Sequence, residues 1–386
     1  MAGLSIYLDW NATAPLRAEA FEAMRPFLEP GARQVFGNAA SVHRHGQAAK
    51  VELERARRTC AGVLGCASEE LVFTSGGTES NNLALRGLAW ARKATAPEIL
   101  YTRLEHAAVL ETIEDLAKQG FVGVPLEVRP TGVADAGLMA RSLGQRTALV
   151  TLQLVNNETG VIQTVAELGK AARALGIPFH VDAVQAPGKV PLRVDELCCA
   201  TLALSAHKFE GPKGAGLLYV RSGTQLRAQV TGGGQEGGLR GGTDNVSGAA
   251  GMAEALRLAE AERVETVARL GKLREEFEAE LKAGVPDAVI HGASVPRVPS
   301  TSFVSFPGCD GSTLVQALDA EGVSCSTGAA CSEGMAKPSH VLEAMHVTKA
   351  LAGSAVRFSY GRTTTVEELR KAAQLTAKVV KRMRGM

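Results

Sequence analysis

Short apolar runs alternate with amphipathic segments between residues 45 and 220 of this chain. The apolar runs have the length of β-strands and lie at 71–73, 99–101, 148–152, 179–182, 202–204 and 216–220. The amphipathic segments between them have helical spacing and lie at 52–64, 109–119 and 165–175. Alternating strands and helices of these lengths are typical of a doubly wound α/β sheet. The pattern therefore predicts such a sheet, with ligands bound at the carboxyl ends of its strands.

The pattern changes after a glycine-rich segment at 232–242. A continuous helical pattern rich in Ala, Leu, Glu and Arg predicts one long helix from residue 249 to residue 282. Two apolar runs at 302–306 and 355–359 and a helical pattern from Val366 then predict a smaller α+β unit. We therefore expect a large domain over residues 15–260 and a small domain formed by residues 1–14 and 261–386.

Composition narrows the class of protein. The 386 residues carry a net charge of +2 and only 4% aromatic residues, so neither a basic surface nor stacking rings indicate nucleic acid. No apolar run reaches the roughly 20 residues of a membrane span. The seven cysteines form no CxxC pair and no zinc-like spacing, and no apolar leader follows Met1. These features predict a cytoplasmic protein with no direct nucleic-acid or membrane partner.

Lys208 occupies an unusual place for a charge. It follows the apolar run at 201–204 and precedes a glycine-rich turn at 211–216. Burial at such a position would lower the pKa of the amine and free it as a nucleophile, which a Schiff base with a carbonyl cofactor requires. The alternative is a lysine that only terminates a strand.

Further polar residues follow other predicted strands. The segment 74–80 places glycines and hydroxyls at a helix start, which suits a phosphate but is also compatible with a simple capped turn. Asp182 ends a strand one βαβ-sized interval before Lys208, so both can face one crevice, where a carboxylate would keep a pyridine nitrogen protonated. Asn157 and His106 also follow strands, and each is compatible with a turn or a structural role.

Two residues near the other end of the chain add a thiol and a cation. Cys331 lies with Cys325 in a segment of small residues at 325–334, which is typical of an accessible thiol, although cysteines are more often buried and inert. Cys325 is the second candidate nucleophile, and its proximity to Val323 at a strand end favours packing. Arg357 lies in the strand-like run at 355–359 and offers a two-pronged donor to a carboxylate.

In combination, these motifs closely resemble the cysteine desulfurases of the class V aminotransferase family. The matching segments are 7–13, 36–38, 74–79, 105–106, 156–160, 180–185, 205–208, 232–236, 326–332, 338–342 and 357–359. The resemblance covers essentially the whole chain. The long cysteine segment is similar to that of the NifS/IscS branch.

The resemblance implies a pyridoxal phosphate enzyme with the aspartate-aminotransferase fold (fold type I), working as a homodimer. Lys208 would carry the cofactor as a Schiff base, Asp182 would pair with its ring nitrogen, and Gln185 would contact its ring oxygen. His106 would stack on the ring and move protons. The residues that would hold the phosphate are Gly77, Thr78, Ser205, His207 and, contributed by the partner subunit, Thr243.

The reaction implied by the resemblance converts L-cysteine to L-alanine. Asn157 and Arg357 would bind the substrate carboxylate, and Asn157 would also touch the cofactor. The thiolate of Cys331 would attack the substrate sulfur and become a persulfide, which passes to an acceptor such as an iron–sulfur scaffold or a tRNA-thiolation protein. Cys331 would also serve as a transient iron–sulfur ligand, and no other metal site is expected.

Other functions of the same fold remain open at this point. An aminotransferase or a selenocysteine lyase would share Asp182 and Lys208 without needing a loop thiol, and a non-catalytic sulfur-relay scaffold would keep only the fold. Four positions depart from the expected family pattern, namely Ala39, Glu210, Gly238 and Lys337. None of them removes a chemical group from the implied mechanism. Lys337 and Gly238 lie close in sequence to the cysteine loop and the dimer-facing segment, so we expect these two to affect partner choice and loop motion rather than chemistry.

Overall fold

The computed structural model describes residues 5–31, 35–93, 96–328 and 339–385. Its strands are β1 Ile6–Tyr7, β2 Leu71–Thr74, β3 Glu98–Thr102, β4 Val122–Leu126, β5 Thr147–Thr151, β6 Phe179–Asp182, β7 Thr201–Ser205, β8 Gly216–Val220, β9 Val289–Ile290, β10 Thr301–Ser305, β11 Val323–Ser324 and β12 Ala355–Ser359. Its α-helices are α1 Ala18–Leu28, α2 Arg44–Leu64, α3 Gly77–Arg92, α4 Ala107–Ala117, α5 Ala136–Ser142, α6 Val165–Ala174, α7 Val194–Leu197, α8 Val246–Ala261, α9 Arg263–Gly284, α10 Gly311–Ala320, α11 His340–Ala344, α12 Lys349–Ala352 and α13 Val366–Met383.

The main sheet joins seven of the described strands in the order β2-β8-β7-β6-β5-β3-β4. The strands from β7 to β4 run parallel, whereas β8 is antiparallel to both β2 and β7. The central strands are buried along their whole length because helices such as α3 and α6 cover the sheet. The predicted α/β sheet is confirmed, and the carboxyl ends of β5, β6 and β7 meet along one edge.

β4 is a strand that the apolar pattern does not predict. It lies at one end of the sheet and pairs in parallel with β3 only. Val122 and Pro125 are exposed in β4, so this strand is not buried along its length as the central strands are. Proline is compatible with this position because an edge strand needs ladder hydrogen bonds on one side only.

The single helix predicted from residue 249 to residue 282 is wrong. The structure has two helices, α8 and α9, which meet at Glu262. α8 packs against α1 and α2, whereas α9 packs against α13. The Glu262 carboxylate also forms an ion pair with Arg17, at 2.8 Å. The two helices pack against different partners, and an unbroken helical composition contains no signal for the break between them.

A second, smaller sheet lies in the C-terminal part of the chain. In this three-stranded sheet, β10 pairs antiparallel with both β9 and β12, while β1 and β11 pair parallel as a separate two-stranded sheet. Ile6 and Leu8 pack in the same apolar cluster as side chains of α9, α10 and α13. The first residues of the chain therefore contribute to this second core. The division into domains at residues 14/15 and 260/261 stays a prediction.

Candidate active site

A cavity of about 650 Å³ lies between the carboxyl ends of the main-sheet strands and the second sheet. The predicted site residues that line it are Gly77, Thr78, His106, Asn157, Asp182, Gln185, Ser205, His207, Lys208 and Arg357. Thr243 is exposed and does not line this cavity within one chain. Cys331 and Lys337 fall outside the described residues.

Lys208 follows β7 in a 3-10 turn formed by Ala206–Phe209. Its Nζ donates hydrogen bonds to the carbonyl oxygens of Asn11 and Ala12, both at 2.8 Å. Burial lowers the pKa of the Lys208 amine to about 8; the charge of Arg357 acts in the same direction, and that of Asp182 opposes it. Lys208 therefore presents more neutral amine at neutral pH than an exposed lysine does.

Asp182 lies at the end of β6 and is held through both carboxylate oxygens. Oδ2 accepts a hydrogen bond from Asn81 Nδ2 at 2.7 Å, and Oδ1 accepts one from the backbone N–H of Val184 at 3.0 Å. The Asn81 Oδ1 lies 3.0 Å from His180 Nε2, and His180 Nδ1 lies 2.9 Å from the Thr201 hydroxyl. Because Asn81 uses its oxygen as the acceptor, His180 must donate through Nε2. Burial lowers the pKa of His180 to about 4, so the hydrogen-bonded groups behind the Asp182 carboxylate are neutral.

The amino end of α3 forms the part of the cavity suited to an anion. The helix begins at Gly77, and the preceding Gly76 offers no side chain to cap the first N–H groups. A Cβ at Gly216 would lie 2.5 Å from Gly76 Cα, so only glycine lets β8 approach this turn. His207 lines the same region, and burial lowers its pKa to about 4. The donors here are mainly backbone N–H groups and neutral side chains.

His106 caps the amino end of α4 and has a defined tautomer. Its Nδ1 accepts a hydrogen bond from the backbone N–H of Ala108 at 3.0 Å, so the ring proton resides on Nε2. Burial lowers the pKa of His106, and the charge of Asp182 opposes that effect. The preceding Glu105 is fully buried, and its Oε2 has no hydrogen-bond partner among the described residues. Burial, and then Asp182, raises the pKa of Glu105 well above its usual range.

The second sheet contributes a cationic wall through Arg357 on β12. Its Nη2 donates to Asp9 Oδ1 at 2.8 Å, and its Nη1 donates to the carbonyl oxygen of Asn157 at 3.0 Å. Its Nε is buried and has no partner among the described residues. Arg357 is therefore not a free two-pronged donor, because Asp9 already shares it. The unpaired Nε and the second hydrogen on each terminal nitrogen remain for an incoming carboxylate.

The two candidate nucleophiles, Cys325 and Cys331, lie in the small-residue segment at 325–334, and the structure describes only Cys325. Burial raises the pKa of Cys325 to about 12, because the thiol packs against the second apolar core. Cys325 is thus a poor nucleophile, as its position beside Val323 suggests. Cys331 lies within residues 329–338, outside the described residues.

Glu158 is a buried carboxylate beside the same segment. It accepts a hydrogen bond from the Ser339 hydroxyl, and burial raises its pKa against the effect of His340. Gly328 has φ +85°, and a Cβ there would lie 3.2 Å from Glu158 Oε2, so a side chain at this position would be strained and crowded. Glu158 therefore contacts the described residues on both sides of 329–338.

Sequence reasoning assigned roles to ten of the residues that line the cavity but gave no role to Asn81 or Glu158, which also line it. Asn81 shares the buried face of α3 with Leu85 and Leu88. At that spacing the asparagine is buried although its side chain is polar. This mismatch was the signal from which a role for Asn81 could have been inferred. Glu158 carried no such signal, because it occupies a polar turn and its hydrogen-bond partner Ser339 is 181 positions away in the chain.

Comparison with known proteins agrees with this arrangement. The aminotransferase class-V family model matches residues 6–371. A cysteine desulfurase IscS from Dictyoglomus turgidum is 41% identical over 98% of this chain and 95% of its own length. The chain belongs to the cysteine desulfurases of the class-V aminotransferase family. The resemblance inferred from the motifs is thereby confirmed, and so is the fold type I architecture.

Other cysteine desulfurase relatives and solved structures match equally broadly. A cysteine desulfurase IscS from Methanosarcina thermophila is 38% identical over 99% of this chain and 93% of its own. The structure of a NifS-like protein superposes with a TM-score of 0.91 at 34% identity, covering 98% of this chain and all of that chain. A structure of SspA in complex with cysteine has a TM-score of 0.81 at 30% identity, covering 94% of this chain and all of that chain.

Two further findings concern the described residues only. They contain no group of three or more His, Cys, Asp or Glu side chains that could hold a metal ion. None of their helices combines the length and the apolar character needed to cross a membrane.

Proposed function

We propose that this chain is a pyridoxal phosphate-dependent cysteine desulfurase, which converts L-cysteine to L-alanine and retains the sulfur on Cys331 as a persulfide. The observation that carries the proposal is the convergence of Lys208, Asp182 and His106 on one cavity. Cysteine desulfurase relatives that match over nearly the whole chain support the substrate assignment. A similar structure that contains cysteine supports it further.

The cavity fits pyridoxal phosphate by the chemistry of its side chains. The uncapped start of α3, together with Ser205 and His207, would hold the phosphate. Asp182, fixed through both oxygens, would pair with the ring nitrogen, and Lys208 would bond to the aldehyde carbon. The bound cofactor would supply an electron sink for the substrate Cα.

The remaining steps depend on the chain's own side chains. A pKa of about 8 gives Lys208 the neutral amine that a carbonyl requires, and it also allows the amine to take up and release protons. His106 carries its ring proton on Nε2 and would exchange it with the bound substrate. Arg357, on β12 of the second sheet, and Asn157, between β5 and α6, would orient the substrate carboxylate.

Sulfur transfer requires a thiolate that Cys325 does not provide. The thiolate of Cys331 would attack the substrate sulfur, and the electrons of the broken Cβ–S bond would remain on carbon. That carbon would take a proton to become the methyl group of alanine. Cys331 would keep the sulfur as a persulfide and pass it to an acceptor thiol.

The proposal extends to a homodimer and a protein acceptor in the cytoplasm. Thr243 is exposed on this chain, as a residue that reaches the partner subunit's phosphate site would be. The IscS names of the relatives support an acceptor in iron–sulfur cluster assembly. The tRNA-thiolation acceptor and transient cluster ligation by Cys331 stay predictions.

The test is the fate of the substrate sulfur. After incubation with L-cysteine, peptide mass spectrometry should find one extra sulfur atom on Cys331, and borohydride should fix the cofactor to Lys208. Cys331→Ser should lose at least about 10³-fold in alanine formation, because the acceptor of the sulfur is gone. The control Cys325→Ser should keep normal activity. Extra sulfur on Cys325, or normal turnover by Cys331→Ser, would show that the assignment is wrong.

A further inference from the structure

Lys189 is a partly buried lysine beside the active site to which the mechanism above gives no task. It lies four residues after Gln185 in the chain, and its Nζ donates a hydrogen bond to Gln185 Oε1 at 2.8 Å. Burial lowers the pKa of the Lys189 amine to about 7, and the positive charges of Lys208 and Arg357 act in the same direction. A lysine in this setting usually needs a carboxylate partner.

The carboxylates near Lys189 are committed to other cations. Lys189 lines a small cavity together with Arg17, Lys208, Glu210, Glu262 and Arg362. Glu210 pairs with Arg362 at 2.9 Å, and Glu262 pairs with Arg17 at 2.8 Å. No ion pair within the described part of the chain includes Lys189. Its described hydrogen bond is therefore to a neutral amide that lines the active site.

That hydrogen bond determines which way the Gln185 amide faces. An ammonium group has only donors, so it can bind Gln185 through Oε1 but not through Nε2. With Oε1 held on the Lys189 side, Nε2 faces Asn11 and donates to its carbonyl oxygen at 2.9 Å. Asn11 also accepts from Lys208 and lines the large cavity with Gln185. Gln185 is thus a hydrogen-bond donor on the cavity side.

We propose that Lys189 is a positioning residue that holds Gln185 with its amide nitrogen, rather than its oxygen, towards the ring oxygen of the cofactor. The inference rests on the proposed function, because it concerns the contact that Gln185 makes with pyridoxal phosphate. An amide rotated by half a turn would set its oxygen against the negatively charged ring oxygen. The ammonium form of Lys189 opposes that rotation, because it offers Gln185 donors only.

A double-mutant cycle on cofactor affinity tests the proposal. The affinity of the full-length, cofactor-stripped chain for pyridoxal phosphate is measured by absorbance titration for wild type, Lys189→Met, Gln185→Ala and the double variant. Lys189→Met should weaken binding about tenfold, because a charge-assisted hydrogen bond is lost and the amide can rotate. In the Gln185→Ala background the same change should cost less than about twofold. Lys170→Met, a matched change at an exposed lysine on α6, should leave affinity unchanged.

A second measurement avoids any substitution of Lys189. Trace acetylation across a pH series, followed by mass spectrometry, gives the titration midpoint of Lys189 in the cofactor-stripped chain. Gln185→Ala removes the acceptor that favours the ammonium form, so the midpoint should fall by about 0.5 pH unit. An unchanged midpoint would contradict the Lys189–Gln185 bond even if Lys189→Met folds poorly.

The outcomes separate this inference from the proposed function. Equal losses from Lys189→Met in both backgrounds, or no loss in either, overturn the positioning role alone, provided that the wild type binds the cofactor. A wild-type chain that binds no pyridoxal phosphate overturns both the proposed function and this inference. A tenfold loss that disappears in the Gln185→Ala background, with the shifted Lys189 midpoint, supports the positioning role.

Discussion

The two walls of the active-site cavity are built in different ways. On the wall formed by the main sheet, Asp182 is held through both carboxylate oxygens, and Asn81, His180 and Thr201 continue the hydrogen-bond chain behind it. On the wall formed by the second sheet, Arg357 shares one edge with Asp9 and keeps a buried Nε without a partner among the described residues. Asp182 on the first wall has both oxygens bonded, whereas Arg357 on the second wall keeps donors in reserve.

This difference matches the tasks that the two walls would perform. A cofactor stays bound through many turnovers, so its partners gain from being fixed in advance. A substrate carboxylate comes and goes, and it must find donors that are not already satisfied. The comparison therefore predicts that changes on the main-sheet wall affect cofactor binding and stability, whereas changes on the second-sheet wall affect the substrate.

The largest expected effect is on the second-sheet wall. Arg357→Met should raise the KM for L-cysteine about 100-fold, because it removes charge-assisted hydrogen bonds to the substrate carboxylate. The affinity for pyridoxal phosphate should change by less than about threefold. Steady-state kinetics and cofactor titration on the same preparation measure both quantities.

The matched control is Arg297, another buried arginine of the C-terminal part of the chain. It pairs with Glu278 at 2.8 Å and does not line the cavity. Arg297→Met should lower stability without raising the KM. A comparable rise in KM for both variants, or a loss of cofactor binding by Arg357→Met, would contradict the division of tasks between the walls.

The main-sheet wall was the more predictable of the two. Asp182 and Lys208 stand where apolar strands end, and parallel strands deliver their carboxyl ends to one edge, so local pattern and topology together indicate a shared crevice. Arg357 was predictable as a donor to a carboxylate, but its partnership with Asp9 was not. That contact joins positions 348 residues apart, and no local pattern encodes it.

The remaining surprises have the same physical origin. The helix break at Glu262 separates α8 and α9, which pack on different partners, and the edge strand β4 pairs on the side of β3 away from β5. Asn81 is a polar residue on the buried face of α3, but its pattern does not show that its amide bridges His180 and Asp182 of β6. The pattern of apolar residues indicates which side of each segment is buried. These features depend instead on which segments pack against each other in the folded chain.

A change behind the main-sheet wall has the next largest expected effect. Asn81→Ala removes the hydrogen bonds to Asp182 and His180 and leaves two buried polar groups unpaired. The free energy of unfolding should fall by about 2 kcal/mol, as measured by denaturant titration. Asn82→Ala is the control on the same helix, because its side-chain bonds within the described part of the chain are to the helix's own backbone and to Arg86. Equal losses from the two variants would show that Asn81 has no special place behind Asp182.

The smallest expected effect concerns Glu105, behind His106 on the same wall. Its folded-state pKa lies well above that of an unfolded chain, so the folded protein holds a proton that the unfolded chain has lost as pH rises above about 4.5. This group's stabilising contribution is therefore present at acidic pH and decreases as pH rises towards the folded-state pKa. Glu105→Gln keeps the shape of the side chain and removes its titration.

The stability of the Glu105→Gln variant relative to wild type should increase as pH rises above the usual glutamate pKa, because wild type alone then loses this group's contribution. Denaturant titrations of both chains at several pH values isolate this difference, because the other titrating groups are common to both. Glu114→Gln is the matched control, since Glu114 is exposed on the adjoining helix α4 and should show no such trend. A pH-independent difference for Glu105→Gln would mean that Glu105 does not hold a proton in the folded protein, and that the main-sheet wall carries a second buried negative charge next to Asp182.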